Sequence, residues 1–129
     1  MINKVTNDIE SVLKEIPDGA TIMTSGFGTT GQPAELIEML IDLGKKELTI
    51  INNNAASGDR GLTKLIVAGC VKKMISSFPK SLGSTTFQDL YNAGKIELEL
   101  DPQSKIAYRI QAAGGGSGAI FTPTGYGTK

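Results

Sequence analysis

The fold class this sequence predicts is α/β, an open, mainly parallel β-sheet with helices on both faces. Three observations carry it. Short runs rich in β-formers, at 20–24, 48–51, 71–75, 96–100 and 119–121, recur at intervals of roughly 25 residues, the spacing of strand–helix–strand units. Between them the apolar residues fall at the i, i+3, i+4, i+7 positions of amphipathic helices. Glycine and proline clusters separate the two kinds of segment, and no linker interrupts the 129 residues, so one domain over 1–129 is expected.

Each element has its own signal. Thr6 or Asn7 can cap a first helix whose Ile9, Val12, Leu13 and Ile16 share one face, and Pro17-Asp18-Gly19 stops it. Ala20 to Thr24 is short and apolar at its centre, which reads as a buried strand feeding a glycine loop. From Pro33 the stripe Leu36, Ile37, Leu40, Ile41 and Leu43 predicts a second helix, with Gly44 where a left-handed cap belongs. Leu48 to Ile51 is the second strand and ends in Asn52-Asn53-Asn54. Leu62, Leu65 and Ile66 predict a third helix, Val71 to Ile75 a third strand, and Ser76 to Pro79 a break.

A fourth helix carries Phe87, Leu90 and Tyr91 and ends at Gly94. Ile96 to Leu100 alternates strictly, which predicts a half-exposed strand with Glu97 and Glu99 on its solvated side. Asp101-Pro102-Gln103 turns the chain into a fifth helix with Ile106, Ala107 and Ile110 on one face, ending in the glycines 114–118. Ala119 to Phe121 reads as one more strand.

Composition narrows the chemistry. Thirteen Lys and Arg balance thirteen Asp and Glu without a long block of either sign, so neither nucleic acid nor a membrane surface is an expected partner. A small molecule or a protein is. Histidine is absent, which removes the Ser-His-Asp and Cys-His nucleophile systems and the commonest metal ligand. Cys70 is the single cysteine and lies among apolar neighbours, so a buried thiol is expected and neither a disulfide nor a metal site is. The amino terminus lacks the apolar core of a signal peptide, and no run approaches the roughly 20 apolar residues of a membrane span, so cytoplasmic residence is the default expectation.

The glycine loop Ser25 to Pro33 is the candidate site. Glycines allow φ > 0 and close approach of the backbone to an anion or an acyl group, and Pro33 suits the start of a helix. Gly26-Phe27-Gly28-Thr29-Thr30-Gly31 formally matches G-x-G-x-x-G. A dinucleotide site, however, needs the helix to begin within the glycines and an acidic residue at the end of the second strand, where Asn52-Asn53-Asn54 stands instead. Amide side chains at that strand end are neutral donors that can polarise a carbonyl.

The Gly26-Phe27, Gly31 and Pro33 pattern, following Asp18-Gly19 and an apolar strand, resembles the signature of the alpha (A) subunit of the family I coenzyme A transferases. Ser25 stands where the family's Gly-Gly-Phe element begins. Asn53-Asn54-Ala55, Asp101-Pro102-Gln103, the helix with Arg109, Ala113-Gly114-Gly115 and Phe121 to Gly127 resemble later blocks in the same order. The fold implied is an α/β sandwich on a parallel sheet. The activity implied is transfer of coenzyme A from succinyl-CoA or another acyl-CoA to a 3-oxoacid such as 3-oxoadipate or acetoacetate, with the CoA thioester as substrate and no permanently bound cofactor.

In that family the nucleophile is a glutamate of the B subunit in a Ser-Glu-Asn-Gly block, and no Ser-Glu pair occurs here, so this chain is expected to be silent alone and to act in a homo- or hetero-oligomer with a B (beta) subunit. The implied roles are an oxyanion-hole amide for Gln103, donor amides for Asn53 and Asn54, and a wall of the acyl and CoA site for Gly26, Phe27, Gly28, Gly31 and Pro33. Subunits of this family continue past the Pro-Thr-Gly-Tyr-Gly block, so this chain is expected to be an amino-terminal portion. Two other readings stay open from the residues: a non-catalytic acyl-CoA-binding or self-assembling module, and a dinucleotide-binding protein.

Overall fold

The computed structural model describes residues 2–55, 58–80 and 83–128; the ends of the expected domain, Met1 and Lys129, lie outside them. The chain order is α1 (Ile9–Lys14), β1 (Thr21–Met23), α2 (Ala34–Asp42), β2 (Leu48–Ile51), α3 (Leu62–Val67), β3 (Val71–Ser76), α4 (Thr86–Asn92), β4 (Glu97–Leu100) and α5 (Gln103–Gly114). The strands form one parallel sheet in the order β1-β2-β3-β4.

A sheet whose parallel strands follow sequence order has crossovers that all step the same way, and crossovers of one hand therefore place their helices on one face. The packing agrees. Leu13 of α1, Ile37 and Leu40 of α2, Leu62 and Leu65 of α3 and Phe87 of α4 share a core with Leu48, Ile50 and Met74. The alternate strand residues, Thr21, Met23, Ile51 and Ile75, face the other way and meet Ile106, Ile110 and Ala113 of α5 across a groove of about 320 Å³. Among the described residues helices thus lie on both faces, four against one.

Gly44 closes α2 as expected: at φ 65° it lets its own N–H reach Ile41 O and Lys45 N–H reach Leu40 O. Gly69 and Gly94 close α3 and α4 in the same way, each a few residues before a strand. Cys70 is buried, and burial pushes its thiol above the ordinary value.

Four expectations are corrected. The cap of α1 is Asp8, which accepts from Ser11 N–H at 3.0 Å, while Thr6 Oγ1 accepts from Asp8 N–H instead. On α1 only Leu13 is buried; Ile9 and Val12 are exposed because α2 is the helix packed beside it. β1 is an edge strand paired on one side, so Met23 is 59% exposed instead of buried. Ala119 to Phe121 forms no strand: no strand pairs with it among the described residues, and an extended segment without a ladder is not a sheet strand.

β4 differs in a way that bears on the site. Glu97 is exposed, but Glu99 accepts from Lys73 Nζ at 2.6 Å and from Arg109 of α5 at 2.5 Å, so the pair of carboxylates does not share one solvated role. The alternation placed both on one side correctly; which cations lie opposite depends on β3 and α5.

Candidate functional site

The carboxyl ends of the four strands lie along one edge of the parallel sheet, where ligand sites of such sheets gather. Asn52, the first residue after β2, is buried and ties the ends of β1 and β2 together. Its Nδ2 donates to Thr24 O, Thr24 Oγ1 and Ser25 O at 2.8, 3.1 and 3.2 Å, and its Oδ1 accepts from Asn54 N–H. Asn53 and Asn54 follow it off the strand end, Asn54 buried and Asn53 half-buried. The end of β3 holds the next corner: Asn53 O accepts from Ser76 Oγ at 3.0 Å and from Phe78 N–H at 2.9 Å.

Ser77 Oγ stands 3.0 Å from Asn53 O and 2.6 Å from Gln103 Oε1. A hydroxyl has one proton to donate, and the shorter contact orients the Gln103 amide with its oxygen toward Ser77. The two N–H donors of Gln103 are then left for a ligand.

Phe27, Asn53, Asn54, Ser77, Phe78 and Gln103 line one cavity of about 360 Å³. An adjoining cavity of about 330 Å³ shares Phe27, Asn53 and Gln103 and adds Gly26, Asn52 and the apolar Ile106 and Ile110. The structure therefore brings together Gly26, Phe27, Asn53, Asn54 and Gln103. Gly28, Gly31 and Pro33 do not line either cavity. The polar groups facing this space are amides and hydroxyls, with no carboxylate and no cation among the lining residues. Asn53 Oδ1 is buried without a hydrogen-bond partner among the described residues, an acceptor left to a donor from outside.

The glycine loop is a tight hairpin. Phe27 N–H donates to Thr30 O at 2.9 Å and Thr30 N–H returns to Phe27 O at 3.1 Å around Gly28 and Thr29. Ser25 Oγ donates to Gly31 O at 2.8 Å. Two amides that would point at a phosphate in a dinucleotide site are spent on each other, and α2 begins only after Pro33. The loop instead presents the Phe27 side chain, 78% exposed, at the mouth of both cavities.

Ion pairs set α5, and so Gln103, against the sheet. Asp101, buried at the end of β4, accepts from Lys105 Nζ at 2.6 Å and from Arg109, which also holds Glu99. Burial opposes ionisation of Asp101, yet hydrogen bonds from Lys105 and Arg109 outweigh it and hold the carboxyl below its ordinary 3.8. Hydrogen bonds from Lys73 and Arg109 hold Glu99 below 4.5. Depressed carboxylate pKa values give stability that is complete above the ordinary values and lost as pH falls through them toward the lowered ones. Urea titrations between about pH 5 and 3 are expected to show stability falling, and Glu99→Gln to flatten that fall by no more than about 1 kcal/mol, because the pair is one-third exposed. An unchanged slope in that variant would show Glu99 to be uncoupled.

The residue pattern alone marks Asn52 only as a member of a polar cluster and Ser77 only as part of a break, and it does not single out Gln32. Position is the available signal for the first two: each lies at the carboxyl end of a strand. Among the described residues no group of three or more His, Cys, Asp or Glu could hold a metal, and no helix is long and apolar enough to cross a membrane.

Residues 6–129 match the family model described as Coenzyme A transferase. Over 128 residues the chain is 59% identical to the A subunit of 3-oxoadipate CoA-transferase from Acinetobacter baylyi, covering 99% of this chain and 56% of that protein. It is 42% identical over 122 residues to the mitochondrial succinyl-CoA:3-ketoacid coenzyme A transferase 2 of Homo sapiens, covering 94% of this chain and 23% of that one. Its fold is similar to the crystal structure of glutaconate coenzyme A-transferase from Acidaminococcus fermentans, with TM-score 0.76, 27% identity, and coverage of 92% of this chain and 38% of the other. The chain spans about half the length of the bacterial A-chain relatives it matches. With the family model spanning nearly every residue and the α/β fold matching as well, the chain belongs to the coenzyme A transferase family.

Proposed function

We propose that this chain forms the A-side half of a coenzyme A transferase site, which moves coenzyme A from succinyl-CoA or another acyl-CoA to a 3-oxoacid such as 3-oxoadipate or acetoacetate. The observation that carries this reading is the cavity of Phe27, Asn53, Asn54 and Gln103, which offers neutral amide donors and no carboxylate nucleophile. The nucleophile is a glutamate of a B subunit, and relatives named as A subunits support such a partner.

The glutamate oxygen attacks the thioester carbonyl carbon, and the carbonyl electrons move onto oxygen. A Gln103 N–H, with an Asn53 or Asn54 amide beside it, stabilises that oxyanion without protonating it. Collapse expels the CoA thiolate and leaves an acyl-glutamyl anhydride. The thiolate then attacks the glutamyl carbonyl, releasing the first acid and forming a glutamyl-CoA thioester, and the same steps in reverse load the second acid. Phe27 and the glycine hairpin wall the acyl and thioester portion.

The test is transfer from succinyl-CoA to 3-oxoadipate by the chain alone and mixed with a B subunit bearing Ser-Glu-Asn-Gly. Silence alone and 3-oxoadipyl-CoA from the mixture are expected. No transfer from the mixture, with a longer A-side relative working against the same B subunit, removes activity from this chain.

A second reading, a non-catalytic acyl-CoA-binding or self-associating module, is favoured by the outer edge of β1, unpaired among the described residues, and by the exposed Met23, Leu100 and Phe121. A monodisperse monomer by light scattering, together with measurable acyl-CoA affinity and transfer, counts against it.

A further inference from the structure

We propose that Gln32 is the positioning residue of this site, a side-chain latch that sets the hairpin carrying Phe27 against the start of α3. The inference rests on the transferase-site reading and deepens it. Gln32 itself lines neither cavity.

Its amide makes two bonds in opposite directions. Nε2 donates to Gly28 O at 2.6 Å, at the tip of the hairpin, and Oε1 accepts from Leu62 N–H at 2.9 Å, the first residue of α3. That N–H has no partner within its own helix, and the cap residue Gly61 has no side chain to offer one. Gln32, from the other side of the crossover, serves as the missing cap.

Two glycines make room for the side chain. A Cβ on Gly61 would stand 1.8 Å from Gln32 Oε1, and a Cβ on Gly26 would stand 2.6 Å from Gln32 Cγ and 3.0 Å from Gln32 N. Both residues also have positive φ, 54° and 109°. The glycine of the Gly-Phe element is thus required by the glutamine behind it as well as by any ligand in front of it. With Gly28 O held and the Phe27 to Thr30 bonds closed, the backbone that carries Phe27 is fixed at the cavity mouth.

The chemistry supplies a specific test. A protonated carboxyl has one O–H donor and one C=O acceptor, as the amide has one N–H and one C=O in use here, whereas a carboxylate has no donor. Gln32→Glu therefore closes the latch at low pH and releases the Gly28 arm when the carboxyl ionises. Gln32→Met fills the space and makes neither bond.

Amide-exchange protection factors, measured by NMR on the chain as it stands, are expected to fall about tenfold at Phe27, Thr30 and Leu62 in Gln32→Met, the scale of one lost hydrogen bond, with β2 and β3 unchanged. In Gln32→Glu, Phe27 and Thr30 are expected to lose and regain protection with pH in one step that neither the parent nor Gln32→Met shows. In the assembly with a B subunit, Gln32→Met is expected to raise KM for acyl-CoA about tenfold with kcat nearly unchanged, the pattern of lost uniform binding.

Unchanged protection in Gln32→Met, or protection without a pH step in Gln32→Glu, overturns the latch. Lost protection with KM and kcat both unchanged overturns its role in the site. A parent assembly that neither binds nor turns over acyl-CoA overturns the transferase-site reading instead, and the exchange experiment still decides whether the latch exists.

Discussion

Gln103→Ala, in the assembly with a B subunit, is expected to slow coenzyme A transfer about 10²- to 10³-fold in kcat, the cost of one oxyanion-hole donor, with little change in KM. The expectation follows from how the side chain is held. Gln103 opens α5 beside the ion pairs of Asp101, and Ser77 takes its oxygen at 2.6 Å, so its donors face the cavity shared with Asn53 and Phe27.

In the proposed reaction negative charge develops on the thioester oxygen only as the glutamate attacks, so a donor aimed there acts on kcat and not on ground-state binding. Gln103→Glu separates shape from donation. It keeps the size, removes the N–H groups, and puts a negative charge where the oxyanion forms, so it is expected to be at least as slow as the alanine variant. Gln103 is exposed, and thermal unfolding of both variants is expected to match the parent. A kcat within about threefold of the parent in both variants would remove Gln103 from the chemistry.

Leu65→Ala is expected to cost about 2–5 kcal/mol, a large part of the roughly 5–15 kcal/mol by which a domain of this size is stable. Leu65 is fully buried in the middle of α3, a helix of six residues. A helix that short does not persist on propensity, so packing of Leu62, Leu65 and Ile66 holds it in place. The cavity left by alanine also loosens the end of α3 that Gln32 caps. Urea titration reads the loss as a lower midpoint at constant slope. A loss below about 1 kcal/mol would mean that the site collapses onto the gap at little cost.

Much of the molecule is legible in the sequence. The strand and helix alternation, the closing glycines 44 and 94 and the burial of Cys70 follow from period and turn chemistry, which residues carry locally. Phe27, Asn53, Asn54 and Gln103 are singled out by ordered blocks resembling one family, and in the fold they line one cavity. Ala119 to Phe121 goes the other way: its composition suits a strand, but a strand needs a neighbour to bond, and Phe121 is fully exposed.

Glu97 and Glu99 draw the boundary most clearly. Alternation puts them on one side of β4, and that is right; that Glu99 meets Lys73 and Arg109 while Glu97 meets solvent depends on the register of β3 and the path of α5.

The glycine loop repeats the division. Its residues announce a tight turn with room for a ligand, because glycine's freedom at positive φ belongs to the residue alone. That Gln32 fills the space behind Gly26 and caps α3 at Leu62 comes from the folded chain, because the donor and acceptor it joins lie far apart in sequence and come within bonding distance only when α2 and α3 pack side by side.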